Sequence, residues 1–464
     1  MDKNYYITTP IYYPSARPHM GHAYSSIVAD FFARFKRIDG FNVHFLTGTD
    51  EHGLKIQRAA ERKKIDPQTF CDEISQTFRD LSKTLNLSNT DFIRTTEERH
   101  KKTVQHLWSE LEKNDDIYLS KYSGWYSVSD EAFYSDEEIT EKENIKIATA
   151  SGSPVEWIEE ESYFFRLSKW QDELLNYYEK NPDFISPKSR KNEVISFVKG
   201  GLKDLSISRK AFSWGIKVPN SPDHVIYVWL DALTNYISAL NYPDTNDELF
   251  KKFWPASVHL IGKDILRFHS VYWPAFLMAA KIPLPKKVYG HGWILSGDEK
   301  MSKSKGNILD PLDIIEIYGL DPLRYYLIKE VSFGNDGNIS QDRLEDCINS
   351  DLANNYGNLC QRVTAFAEKN CSSSVPDNKK FNDEDLVMLN KFTDNLNTIR
   401  TEIDNQNINY YINFIVSALF EANKYFNDQE PWKKKDDKDR LNTIVYTSLE
   451  MIRKISFMLY PIIP

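Results

Sequence analysis

Residues 5–22 read YYITTPIYYPSARPHMGH. An apolar run, Tyr5 to Tyr13, leads into His19-Met20-Gly21-His22, and beyond it Ile27, Val28, Phe31, Phe32 and Phe35 recur at helical spacing on one face. The pattern predicts a strand, a turn and a helix, with the two histidines at the turn. Free backbone N–H groups and the helix dipole gather at such a turn, which suits a triphosphate; Gly21 would let a flat adenine approach the backbone, and imidazole N–H groups can donate to phosphate oxygens. Taken alone, the same four residues also fit a plain turn, or a half-site for a metal with both histidines on one helical face.

Working outward, alternating strand and helix patterns continue to about residue 113, with Val43 to Leu46 as one strand. A second apolar series follows at Val225 to Trp229, Val258 to Ile261 and Val288 to Tyr289. Interleaved helices imply an α/β fold with a parallel, doubly wound sheet of Rossmann-like type. The sheet-forming halves are then residues 1–113 and 224–307, and residues 114–223, with their own Trp, Tyr and Phe content, are too long for an ordinary crossover and read as an inserted domain. After Ile308 the apolar spacing is helical, as in Leu386, Leu389, Phe392 and Leu396, then Ile408, Tyr411, Ile412, Ile415 and Leu419, so the C-terminal third reads as an all-α bundle. The polar stretch Cys371 to Asp385 reads as an exposed loop.

Lys300-Met301-Ser302-Lys303-Ser304 lies in a Ser- and Gly-containing loop, Gly297 to Asn307. Two lysines there form a cationic clamp able to close over a triphosphate, although a lone Lys-Ser-Lys loop is more often solvated surface. Charge brought to an α-phosphate as it becomes pentacoordinate stabilises the transition state, and losing one such donor costs about 3–4 kcal/mol.

The chain has 464 residues, too many for one core, and a 41% hydrophobic fraction ample for burial. It lacks a charged segment followed by an apolar one at its start, and no eighteen-residue apolar run occurs, so neither secretion nor a membrane span is expected. Four scattered cysteines, Cys71, Cys347, Cys360 and Cys371, fit a reducing compartment, and the cytoplasm is expected. A net charge of −9 argues against indiscriminate polyanion binding, so any RNA contact should be local. One candidate surface is Lys188, Arg190, Lys191, Lys199, Lys203, Arg209 and Lys210; a plain solvated face is the equal alternative.

The paired His-x-Gly-His and Lys-Met-Ser-Lys-Ser motifs resemble those of class I aminoacyl-tRNA synthetases, and the words around them resemble the methionyl-tRNA synthetase family. Those words are Thr8-Thr9-Pro10-Ile11-Tyr12-Tyr13, Leu46-Thr47-Gly48-Thr49-Asp50-Glu51-His52-Gly53, Val228-Trp229-Leu230-Asp231-Ala232-Leu233, Ile261 to His269, and His291-Gly292-Trp293, in family order over nearly the whole chain. The resemblance implies that Ile11, Tyr13, Trp229, Leu233, Tyr236, Ile265 and His269, from three separated strand ends, surround a methionine side chain, where aromatic rings give a thioether polarisable contacts. Leu233 stands where the family often has proline. Asp50 is implied to hold the α-ammonium of L-methionine, with Asp264 a second polar residue of the pocket. ATP, with Mg²⁺, is implied to meet His19, Gly21, His22, His291, Gly292, Trp293, Lys300, Met301, Ser302 and Lys303, of which His19, His22, Lys300 and Lys303 would be catalytic.

The same resemblance makes residues 114–223 the connective peptide, 308–345 a connecting stem-contact region and 346–464 an anticodon-binding domain. Asn358, Arg362 and Trp432 match the family's anticodon readers for tRNA(Met); an indole stacks on a splayed base for about 1–3 kcal/mol, while Asn and Arg read base edges. Family members commonly bind zinc on CxxC knuckles in the insertion. Between Gly124 and Trp170 there is no cysteine, so no structural zinc and no other metal site is expected. The implied chemistry is methionyl-adenylate formation with release of pyrophosphate, then transfer to the 3′ end of tRNA, by a chain expected to be monomeric. Two alternatives remain at this stage. A nucleotidylyltransferase would need neither the insertion nor the helical third, and a non-catalytic tRNA-binding relative would have no need of all four charged motif residues. Class I relatives for leucine, isoleucine and valine carry a much larger insertion.

Overall fold

Strand pairing places Asn4–Thr8 at the centre of a six-stranded parallel sheet in the order Asp91–Arg94, Asn42–Thr49, Asn4–Thr8, Val258–Gly262, Val288–His291, Ile185–Ser186. The computed structural model describes residues 3–14, 17–127, 132–142, 145–296, 299–300, 310–378 and 380–464; of residues 122, 132, 133, 296, 299 and 300 it describes the backbone alone. The chain divides into two units, residues 1–18 with 36–291, and residues 19–35 with 292–464.

In the first unit, both sheet faces are covered, which is why its strands are nearly continuous runs of apolar residues: Tyr6, Ile7, Phe45, Leu46, Leu260 and Ile261 are wholly buried. The strand order runs outward in one direction from Asn4–Thr8 through Asn42–Thr49, and in the other from Val258–Gly262. Ile7 faces Val258 and Thr8 faces His259 across the junction. Loops leaving two adjacent strands in opposite directions open a crevice at their carboxyl ends, the usual ligand position of doubly wound sheets. Gly48 is needed for strand packing, because a Cβ there would sit 2.0 Å from the Ile93 carbonyl oxygen.

The inserted segment is built on antiparallel pairing, with Ile117–Ser127 against Glu156–Phe165 from Ile117↔Phe165 to Tyr126↔Glu156. A two-residue strand from the same segment, Ile185–Ser186, joins the edge of the parallel sheet beside Val288–Tyr289.

The expected strand at Val225 to Trp229 is corrected. Ser221–Ile226 pairs antiparallel within a separate three-stranded sheet, and a helix, Val228–Ser238, starts two residues later. Every residue from Leu230 to Ser238 is buried, so the helix has no polar face and its sequence lacks the amphipathic period that marks surface helices. The basic stretch is also corrected: Arg209 is buried with its guanidinium 3.7 Å from the Tyr227 ring, and Lys210 pairs with Glu161 and Asp223. The seven cations therefore do not form one solvated stripe.

The second unit is helical. Asp383–Asp404, Ile408–Asp428 and Lys438–Leu459 pack with Asn358–Asn370, their apolar stripes supplying Phe392, Ile399, Ile415, Leu419, Val445 and Met451. Two buried ionic clusters fix the packing. Asp385 accepts from both terminal nitrogens of Arg440 at 2.6 and 3.0 Å and from the Tyr425 hydroxyl. Arg324, wholly buried, donates to Asp30 at 2.7 Å and to the Ile462 carbonyl at 2.7 Å, while Arg34 reaches the same Asp30 oxygen at 2.7 Å. Burying these charges is tolerable because each is paired and hydrogen-bonded.

Candidate active site

A cavity of about 220 Å³ opens at the reversal point of the parallel sheet, lined by Ile11, Tyr13, Asp50, Lys55, Trp229, Ala232, Leu233, Tyr236, Ile265 and His269 among others. It is smaller than the roughly 300–1,000 Å³ of drug-sized sites and suits a ligand of amino-acid size. Ile11 and Tyr13 follow the central strand, Asp50 follows Asn42–Thr49, and Ile265 and His269 lie on helical turns after Val258–Gly262. Trp229, Leu233 and Tyr236 come from the Val228–Ser238 helix rather than from a strand end. Seven apolar or aromatic positions and Asp50, expected from the sequence as one site, thus share one cavity. Asp264 is exposed and is not among the lining residues.

Aromatic rings pack against one another along the cavity wall. Trp229 stacks on Phe268 with centroids 3.4 Å apart and planes inclined by 12°. Tyr236 stacks on His259 at 4.1 Å and its hydroxyl lies 2.7 Å from His269 Nε2. His269 Nδ1 is 2.9 Å from the Ile265 carbonyl, which can only accept, so Nδ1 carries the proton. Burial pushes His269 down to about 4, against the Ile265 hydrogen bond and the Asp264 carboxylate, which favour its charged form. The neutral ring therefore offers Nε2 as acceptor, and Tyr236 donates to it. The result is a largely apolar recess whose lining carries two charged side chains, Asp50 and Lys55.

The loop bearing Asp50 is pinned on every side. Glu51, wholly buried, accepts from Arg94 at 2.7 and 2.9 Å and from Thr49, Ser75 and Thr96. Its carbonyl takes the Trp214 indole N–H at 2.6 Å, and the His52 carbonyl takes the Tyr13 hydroxyl at 3.1 Å. His52 Nδ1 lies 2.7 Å from Asp231. Lys55 also lines the cavity, its ammonium 5.1 Å from the Tyr13 ring. Sequence reasoning missed Lys55, His100 and the Asp231 pairing; the partners lie far apart in the chain and leave no local pattern.

In the second unit the His-x-Gly-His segment forms a tight helix entry. His19 and His22 stack with ring centroids 3.8 Å apart, the His19 N–H donates to His22 Nδ1 at 3.0 Å, and the Gly21 N–H donates to His19 Nδ1 at 3.1 Å. Burial, and then the neighbouring His19, hold His22 well below its ordinary range, so the stacked pair is not doubly charged at neutral pH. Gly292 is required where it stands, since a Cβ would lie 2.1 Å from the Asn335 carbonyl oxygen. Trp293 N–H donates to Asp336 at 2.8 Å. His291 ends its parallel strand in the first unit and is buried. Lys300 sits on the short strand Glu299–Lys300; Met301, Ser302 and Lys303 lie outside the described residues.

Asn358 and Arg362 lie one turn apart on Asn358–Asn370, and Arg362 and Trp432 meet the same ring, that of Phe426. Asn358 is the first residue of Asn358–Asn370 and exposed. The Arg362 guanidinium lies 5.6 Å from the Phe426 ring and reaches Asn427 Oδ1 at 2.5 Å, and Trp432, 40% exposed, meets the same Phe426 edge-on at 6.1 Å. Among the described residues no three His, Cys, Asp or Glu side chains are grouped to hold a metal ion, and no helix is long and apolar enough to cross a membrane.

The family model of class I tRNA synthetases (M) matches residues 5–152 and 141–364, which places the chain among the class I aminoacyl-tRNA synthetases. It is 53% identical to the methionine–tRNA ligase of Rickettsia felis and 51% identical to that of Brucella suis, in each case over 100% of this chain and 90% of the relative. A solved structure of the Mycobacterium tuberculosis methionyl-tRNA synthetase in complex with methionyl-adenylate superposes with a TM-score of 0.97 at 47% identity, covering 100% of this chain and 92% of the other. The chain belongs to the methionine–tRNA ligase family.

Proposed function

We propose that the cavity between Asp50 and the Trp229–Tyr236 wall binds L-methionine, and that the chain activates it with ATP before transferring it to tRNA(Met). The observation that carries this is the convergence of Ile11, Tyr13, Asp50, Trp229, Leu233, Tyr236, Ile265 and His269 on one amino-acid-sized recess at the reversal point of the sheet. Asp50 takes the α-ammonium and the rings take the thioether, which leaves the carboxylate to attack the α-phosphorus of ATP. The new O–P bond forms as the bond to the β-phosphate breaks, and pyrophosphate departs with the electron pair. The terminal ribose hydroxyl of tRNA then attacks the methionyl carbonyl, and AMP leaves.

Positioning and electrostatics dominate such displacements at phosphorus, so no protein nucleophile is called for. His19, Gly21, His22, His291, Gly292, Trp293, Lys300, Met301, Ser302 and Lys303 are the proposed ATP residues, with Mg²⁺ entering as part of the MgATP substrate. Asn358, Arg362 and Trp432 are the proposed anticodon readers within residues 346–464, and residues 114–223 and 308–345 the proposed connective-peptide and stem-contact regions. The proposed setting is the cytoplasm, with a single chain as the working unit. Calorimetric titration tests the pocket: wild-type chain should bind methionine at least about tenfold more tightly than leucine or valine, and Asp50→Asn should weaken methionine by about tenfold or more, a charge-assisted hydrogen bond being worth about 1.5–3 kcal/mol. Unchanged affinity in Asp50→Asn would remove the ammonium assignment.

A further inference from the structure

Among the described residues, Asp231 is a carboxylate that joins the Val228–Ser238 helix of the proposed methionine pocket to the segment bearing Asp50. It lies on the Val228–Ser238 helix, whose Trp229, Leu233 and Tyr236 form the thioether wall, and it is 1% exposed. Its Oδ2 is 2.7 Å from Nδ1 of His52, two residues after Asp50. Its Oδ1 is 2.8 Å from Nε2 of His100, wholly buried on the helix Glu98–Lys113. His100 Nδ1 is 3.0 Å from the Ser238 hydroxyl, which spends its single proton on the Thr234 carbonyl at 2.9 Å. His100 Nε2 donates to the Asp231 carboxylate, which can only accept. Against the desolvation that would raise it, His52 and His100 hold the Asp231 carboxyl down to about 2, so it accepts from both rings as a carboxylate.

We propose that Asp231, with His52 and His100, is a positioning residue for methionine: it fixes the distance between the ammonium-binding Asp50 and the thioether wall, so that one ligand satisfies both ends. The inference rests on the assignment of that cavity to methionine. Asp231 itself touches no substrate. Its contribution comes through geometry, because a ligand gripped at two ends gains from both contacts only when their separation is held to within a fraction of an ångström. Asparagine at 231 would keep the shape but offer one acceptor and one N–H₂, and the latter would confront a ring N–H; one of the two braces is lost while the fold's apolar packing is retained.

The test compares methionine with its des-amino analogue, 4-(methylthio)butanoate, which engages the thioether wall without Asp50. In methionine-dependent pyrophosphate exchange by the full chain, Asp231→Asn should raise the methionine KM by about tenfold, the effect of about 1.4 kcal/mol of lost binding. The inhibition constant of the des-amino analogue and the KM for ATP should change by less than about twofold. Asp385→Asn, which breaks an equally buried carboxylate cluster in the helical unit, should lower the melting temperature without altering the ratio of methionine to analogue affinity. If Asp231→Asn does not fold, His52→Gln and His100→Gln read the same ratio. Equal weakening of methionine and analogue, or no change in either, overturns the positioning role. The cavity assignment is read separately: if Asp50→Asn leaves the ratio unchanged, that assignment fails, whereas a ratio that collapses in Asp50→Asn and holds in Asp231→Asn removes the brace alone.

Discussion

Replacing Tyr236 by phenylalanine removes one oxygen atom from the wall of the pocket and tests whether the Tyr236–His269 pair serves ligand binding. The hydroxyl donates to His269 Nε2 at 2.7 Å, and His269 is neutral with its other proton fixed on the Ile265 carbonyl. Without the hydroxyl, Nε2 keeps a lone pair facing the recess. In the empty pocket water can satisfy it; once methionine fills the recess that water is expelled and the acceptor is stranded, at a cost of about 1–3 kcal/mol. The penalty falls on the bound state, so the methionine KM in pyrophosphate exchange should rise by about five- to 150-fold, with the ATP KM little changed. The Ile265 bond keeps the ring in place in the variant. A methionine KM within twofold of wild type, together with a lowered melting temperature, would refute the reasoning and make the pair a structural bond only.

Trp432→Ala should cut the kcat/KM for tRNA(Met) charging by about five- to 150-fold, the worth of one stacked base, while leaving methionine-dependent exchange intact; equal loss of both would make the indole structural. Arg324→Leu removes one cationic partner of the buried Asp30 and the Arg324 donor to the Ile462 carbonyl, so unfolding stability should fall by about 3 kcal/mol or more, read as a clear drop in melting temperature. An unchanged melting temperature would show that Arg34 compensates. His44 and His269 are each pushed by burial from an ordinary 6.5 to about 4. Between those values the unfolded chain binds protons that the folded one does not, so stability should be full above about pH 6.5 and decline as pH falls toward 4, by up to about 3 kcal/mol per histidine. A melting temperature flat from pH 7 to 4.5 would contradict the buried, neutral assignment.

The pocket was legible because its residues fall in short words next to strand ends. Ile11 and Tyr13 follow the central strand, Asp50 follows its neighbour, and Ile265 and His269 follow the strand on the other side of the reversal point. What failed to show did so for identifiable reasons. The helix Val228–Ser238 is buried on all sides, so its apolar run was indistinguishable from a buried strand. Asp231 meets His52 and His100 across 179 and 131 residues, and Arg324 meets Asp30 across 294; such pairs have no periodic signature. Arg209 reads in the sequence as part of a basic surface, whereas in the fold its guanidinium lies 3.7 Å from the Tyr227 ring. Lys55 is one residue into a helix, Leu54–Lys63, whose charged residues otherwise mark a solvent face, and only the fold turns its side chain toward the cavity.

The central claim is that this chain activates methionine and discriminates it from other aliphatic amino acids. Exchange of labelled pyrophosphate into ATP, run without tRNA and with methionine, leucine, isoleucine, valine or cysteine in turn, tests it directly. The account predicts exchange with methionine and at least about tenfold less with each of the others, the discrimination open to a hydrophobic pocket that must separate near neighbours. Exchange that is absent with methionine, or as fast with leucine, would contradict it.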